Sequence, residues 1–145
     1  MTNAATWLLE ANRERGDHPA VIDSAGVHTY AEVTAQAERF GSLLLGAGLV
    51  PGDRVLLALT DTVAFPICFI GAMRVGVVPV PLNTLLTAQD YAFIAEDSGA
   101  AAMVASPSLT QKLPACTQRW VTGTDGPPGW RALDTELGEM QTSIK

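Results

Sequence analysis

Basic residues are scarce in this chain: nine Lys plus Arg stand against fifteen Asp plus Glu in 145 residues, for a net charge of -6, and they form no run. That pattern excludes the electrostatic footprint of a nucleic-acid partner. Cysteine is equally sparse. Cys68 and Cys116 lie far apart, with no His or second Cys at ligand spacing, so neither a zinc site nor a disulfide framework is indicated and both read as reduced thiols. Met1–Glu14 lacks the charged stretch and apolar core of a secretory leader, so the chain is expected in the cytoplasm. No apolar run suits a membrane, because Val63–Val80 is interrupted by Pro66, Arg74, Gly76 and Pro79. Also missing are a G-x-G-x-x-G fingerprint, a Walker A sequence, a G-x-S-x-G elbow and any His/carboxylate metal grouping. Neither a dinucleotide fold signature nor a hydrolase nucleophile is therefore available.

What is present is apolar residues in regular patterns. Hydrophobic residues make up 48% of the chain and charged ones 17%, which places it among globular proteins. The length suits one α/β domain, expected to span residues 1–145 without an internal linker or repeat. Ala4–Arg15, with Trp7, Leu8 and Ala11 at helical spacing, predicts a short surface helix ended by Gly16. Ala20–Asp23 and Val27–Tyr30, separated by Ser24-Ala25-Gly26, predict a hairpin. Thr29 and Glu32 have the spacing of a capping box. Behind them Val33, Ala37, Phe40 and Leu44 recur every three or four residues, predicting an amphipathic helix that ends at Gly46 and Gly48.

Pro51-Gly52-Asp53 then turns the chain into Arg54–Leu59, a nearly continuous apolar run of the kind found in a parallel strand covered on both faces. Thr60, Asp61 or Thr62 is available to cap the next helix, Val63–Val75, whose apolar character all round predicts a sandwiched position. Val77–Leu82, with two prolines, predicts an extended segment at a sheet edge. A helix from Thr87 to about Ser98-Gly99 and a buried strand Ala100–Ala105 complete a strand-helix-strand-helix-strand order with right-handed crossovers. Beyond Pro107 the pattern weakens to a strand at Gln118–Thr122 and a short helix at Trp130–Leu137, and Gly138–Lys145 carries no clear signal.

Two stretches invite a functional reading. His28 stands alone, without a nearby nucleophile or carboxylate cluster, and reads as an exposed strand residue. Thr122–Gly129 is rich in Gly and Thr as phosphate-cradling loops are. Asp125 would repel phosphate, however, and Gly129 stands where a lysine is wanted, so the stretch reads as a surface turn.

Whole segments say more than motifs do. His28-Thr29-Tyr30-Ala31-Glu32-Val33 resembles the T-Y-x-E-L segment that opens the first long helix of the adenylate-forming (AMP-binding) acyl-CoA synthetase superfamily. Pro51-Gly52-Asp53-Arg54-Val55 is similar to its G-D-x-V turn, and Gly71–Asn83 to its helix ending in Gly before an extended V-P segment. Within that superfamily, Asp61–Pro66 together with Asn83–Tyr91 resembles the benzoate-CoA and hydroxybenzoate-CoA ligases, and the likeness runs from about Thr6 to Leu137.

The resemblance implies an α/β fold, the amino-terminal part of the large adenylate-forming domain: a mainly parallel sheet with βα crossovers, preceded by a small hairpin. It also implies a reaction in which a carboxylic acid and ATP give an acyl-adenylate and pyrophosphate before the acyl group passes to coenzyme A, with Mg²⁺ assisting. ATP, Mg²⁺, coenzyme A and an aromatic or other small carboxylic acid are thus expected partners of an intact enzyme, and none of this chain alone. The superfamily's Pro-Lys phosphate loop, aromatic-Thr-Glu segment, ribose-binding Asp and catalytic Lys are not found in this sequence. No catalytic, cofactor-binding or metal residue carries over. Gly52, Gly76, Pro79, Pro81, Tyr30 and Tyr91 read as scaffold, and Arg74 as exposed or paired with an acid from outside this sequence. The expectation is therefore the scaffold portion of an aryl- or acyl-CoA ligase. The alternatives are a noncatalytic module that binds a partner or self-associates through exposed apolar surface and, more remotely, a small nucleotide-binding enzyme using Thr122–Gly129.

Overall fold

The computed structural model describes residues 3–140. Helix α1 (Ala4–Ala11) is capped by Asn3, whose Oδ1 accepts the amides of Ala5 and Thr6, and a 3-10 turn, Arg13–Arg15, follows. Strands β1 (Pro19–Asp23) and β2 (Gly26–Thr29) form the expected antiparallel hairpin. Helix α2 (Tyr30–Gly46) opens on the expected capping box, with Thr29 Oγ1 accepting the Glu32 amide and Glu32 Oε1 accepting that of Thr29. The chain then runs through β3 (Arg54–Ala58), α3 (Ala64–Arg74), β4 (Val78–Pro81), α4 (Ala88–Ser98) and β5 (Ala102–Ala105). A 3-10 turn (Pro107–Lys112), β6 (Gln118–Val121), β7 (Arg131–Ala132) and α5 (Leu133–Glu139) complete it.

The larger sheet is wholly parallel, in the order β4-β3-β5-β6-β7. Alternation along β3 divides the core. Val55 and Leu57 face Phe40, Leu44, Ala72 and Trp120 under α2, α3 and α5, whereas Leu56 and Ala58 face Tyr91, Met103 and Leu109 under α4. Because β4 lies on one side of β3 and β5 on the other, with their connecting helices on opposite faces, the chain reverses direction at the β3–β5 boundary. Crevices at the carboxyl ends of strands form at such reversals.

Several expectations are corrected. α1 is shorter than Ala4–Arg15 because Asn12 breaks it, and Trp7 is 62% exposed: the residue that packs inward is Ala5. None of Thr60, Asp61 and Thr62 caps α3; the Val63 amide is bonded instead by Asp23, 40 residues earlier. Nor is α3 buried all round. Ile67, Cys68, Gly71 and Ala72 face inward, while Phe65 and Phe69 stack on each other at 5.8 Å on a half-buried flank. Arg74 pairs with Glu38 of α2 at 3.2 Å, so its partner lies within this sequence. The Trp130–Leu137 helix starts only at Leu133, since Arg131 and Ala132 join the sheet edge. Of the Gly138–Lys145 tail, Gly138 and Glu139 close α5, and 141–145 lie outside the described residues.

Candidate functional site

The reversal of the sheet is tied by hydroxyls. Just past the ends of β3 and β5, the amide of Thr60 donates to Ser106 Oγ at 2.9 Å and the two hydroxyl oxygens lie 3.1 Å apart, with Ser106 buried. Beside this seam opens a cleft of about 540 Å³. One wall is the hairpin, through Asp23, Ala25 and His28, and another is the first half of α2, through Glu32, Val33 and Gln36. The start of α3, the Thr122-Gly123 turn after β6 and one side of α5 close the remainder. Val33, Ile67, Leu133 and Leu137 make an apolar floor; the polar lining includes three carboxylates, Asp23, Glu32 and Asp134.

Each of those carboxylates has a partner. Asp23 Oδ2 accepts the Val63 amide at 2.9 Å, and its Oδ1 takes His28 Nε2 at 2.9 Å and the Ala25 amide at 3.0 Å. The Val63 amide, and after it His28, hold the Asp23 carboxyl below the usual range. The Thr29 amide and hydroxyl do the same for Glu32. Asp134 Oδ1 accepts the Gly123 amide at 3.1 Å. His28 is thus half-buried and bonded rather than an exposed strand residue; the matching carboxylate, five residues back, faces it only because the hairpin register pairs Val21 with His28 and Asp23 with Gly26.

Thr122–Gly129 is mostly exposed, with Thr122 and Gly123 on the rim of the cleft. Its Gly123 amide is already given to Asp134, and no Lys or Arg lines the cleft. Among the described residues no group of three His, Cys, Asp or Glu is placed to hold a metal ion. The donor set therefore fits neither the phosphates of a nucleotide nor a magnesium ion.

A model of the family described as "AMP-binding enzyme" matches residues 8–140. The chain belongs to that family. It is 44% identical over 110 residues to a benzoate-CoA ligase of Thauera aromatica, an alignment covering 74% of this chain and 21% of that protein. It is 42% identical over 106 residues to a 4-hydroxybenzoate-CoA/benzoate-CoA ligase of Rhodopseudomonas palustris, covering 72% and 20%. The crystal structure of a benzoate-CoA ligase from Burkholderia xenovorans LB400 superposes with a TM-score of 0.91 at 36% identity, covering 100% of this chain and 30% of that one. The chain thus spans about a fifth of the length of these curated relatives. The expected α/β fold of an AMP-binding enzyme's amino-terminal part, with parallel sheet and small hairpin, agrees with both the topology and this superposition. Among the described residues no helix is long and apolar enough to cross a membrane.

The sequence offered no site residue for the structure to place. What sequence reasoning missed is the joining of Asp23, His28 and Val63. The one visible signal was the absence of a capping side chain at Val63 itself.

Proposed function

We propose that this chain is the scaffold portion of an aryl-carboxylate-CoA ligase. In that reading the intact enzyme condenses an aromatic carboxylic acid with ATP, releases pyrophosphate, and transfers the acyl group from the adenylate to the thiol of coenzyme A, with Mg²⁺ assisting. The observation that carries the proposal is the 44% identity to a benzoate-CoA ligase over 74% of the chain. The contribution of this chain is a layered α/β scaffold whose sheet supports the catalytic segments, with no catalytic or metal residue assigned to it. The parallel sheet, packed on both faces, suits that role. The enzyme works in the cytoplasm, and exposed side chains such as Leu85 and Phe93, at 85% and 68%, offer apolar surface for self-association.

The test is benzoate-dependent exchange of pyrophosphate into ATP. The product of the whole reading frame should exchange and the 145-residue chain should not, because its cleft has no cation to steady the transferred charge. The frame beyond Lys145 should encode, within a few tens of residues, a Ser/Thr/Gly-rich loop ending in Pro-Lys. A long frame without that loop overturns the ligase reading, and turnover of fatty acids with none of benzoates overturns the aromatic part alone.

A further inference from the structure

The β1–β2 hairpin pairs with neither edge of the five-stranded sheet, yet it forms one wall of the cleft. A two-stranded ribbon is at best marginally stable alone, so its position depends on what ties it down. Its outer face contributes nothing to docking: Ile22 and Val27, directly opposite each other, are 74% and 56% exposed. Its base is fixed, because the amides of Tyr30 and Ala31 donate to His18 and Gly16 carbonyls. Its tip is held differently. Beside the turn, the Asp23 side chain is only 6% exposed and bonds the Val63 amide across 40 residues, while His28 Nε2 holds the other carboxylate oxygen. Helix α3 has no capping side chain of its own, and a helix start leaves amides that need an acceptor.

We infer that Asp23 is a latch: its carboxylate caps α3 from a distance and holds the hairpin as a hinged wall of the cleft, with His28 orienting the carboxylate. Release of the latch frees the tip, Asp23 to Gly26, beyond the point where Ala20 and Val21 pack on the core, and frays the first turn of α3 in the same event. The sheet stays intact.

Native-state hydrogen exchange on the 145-residue chain, followed residue by residue by NMR, tests this. In Asp23→Ala the Ile67 amide, which donates to the Val63 carbonyl in the first turn of α3, and the cross-strand amides of the hairpin should exchange faster by one common factor, about tenfold or more, with Leu56 and Met103 unchanged. Asp23→Asn, which keeps an acceptor but loses the charge, should show a smaller rise at the same amides and serves if the alanine variant does not fold. His28→Gln, able to donate to Asp23, should keep most of the protection that His28→Phe loses. Unchanged exchange at Ile67 in both Asp23 variants, different factors at Ile67 and the hairpin, or an equal rise at Leu56 and Met103 overturns the latch.

Discussion

Helices α2 and α3 touch through Gly41 and Gly71, and the contact is tight enough to predict the outcome of a single methyl group. A Cβ built on Gly71 would lie 2.5 Å from the Ala37 carbonyl oxygen and 3.2 Å from Phe40 Cβ and Cδ2. Ordinary contact begins at 3.4 Å, and a helical carbonyl cannot rotate aside, so Gly71→Ala forces the helices apart by nearly 1 Å. Ala37, Phe40 and Ala72 are fully buried around this point and lose packing together. Overpacking of this kind costs about 1–3 kcal/mol, while exchanging Gly for Ala inside a helix returns about 1 kcal/mol. A backbone clash favours the upper end, leaving a net loss of about 1–2 kcal/mol, or roughly 3–8 °C in melting temperature for a chain of this size. Gly46→Ala, at the end of α2 with nothing within 4 Å of the added methyl, is the control. It should be neutral or gain up to about 1 kcal/mol. Urea and thermal unfolding of the two variants decide the matter, and a Gly71→Ala protein as stable as Gly46→Ala refutes the close approach of α2 and α3.

Cys68 is fully buried, and burial, with Asp134 nearby, pushes its thiol well above the usual range; Cys116 is only half-buried. Ellman's reagent should therefore label one thiol per native chain and two in denaturant, and rapid labelling of both in the native protein contradicts that burial. Burial raises the pKa of Glu136, but its bonds from Arg131 and the Trp120 indole outweigh it and leave the carboxyl below its usual value. A folded pKa below the unfolded one stabilises fully above the unfolded value, near 4.5, and that contribution disappears as pH falls through the folded pKa. Urea titrations from pH 6 to pH 3 should accordingly show a shallower acid loss in Glu136→Gln, and identical slopes would remove Glu136 from the linkage. Gly126→Ala should destabilise, since the new methyl would meet the Trp130 carbonyl and Val121 Cγ1 at 2.9 Å; an unchanged urea midpoint would show that the turn can give way.

Where local physics decides, the sequence was a sufficient guide. Thr29 and Glu32 satisfy each other across three residues, so the start of α2 could be read without knowing what surrounds it. Val33, Ala37, Phe40 and Leu44 form the buried stripe their spacing announced. Prolines at 79 and 81 put β4 at an edge because neither can donate to a neighbouring strand. The misses share another cause. Val63–Val75 is apolar enough to suggest burial on every side, but how much of a helix is covered depends on its neighbours, and only one flank of α3 is packed inside. Strand β7 has two residues, too few for any periodicity, and exists because Trp120 and Val121 of β6 pair with Arg131 and Ala132.

The parallel sheet was legible in the order of elements, but the cleft was not. The strand-helix-strand-helix-strand pattern predicts a parallel sheet, whereas the gap above the reversal follows from β4 and β5 lying on opposite sides of β3, which only the fold shows. Which side chains line the gap follows from elements outside that pattern. The hairpin arrives from the amino terminus, and α5 arrives after the pattern has weakened, so Asp23 and Asp134 meet the same cleft from opposite ends of the sequence. Both carboxylates spend an oxygen on a backbone amide at the edge of another element, Val63 for one and Gly123 for the other. An amide left bare at a helix start or turn must find an acceptor, and when its own neighbours in sequence offer none, the acceptor marks the element that folding brings alongside. Thr60, Asp61 and Thr62 were all plausible caps by type; the Thr60 amide went to Ser106 and the Val63 amide to Asp23, which fastened the sheet reversal and the hairpin to the same end of β3.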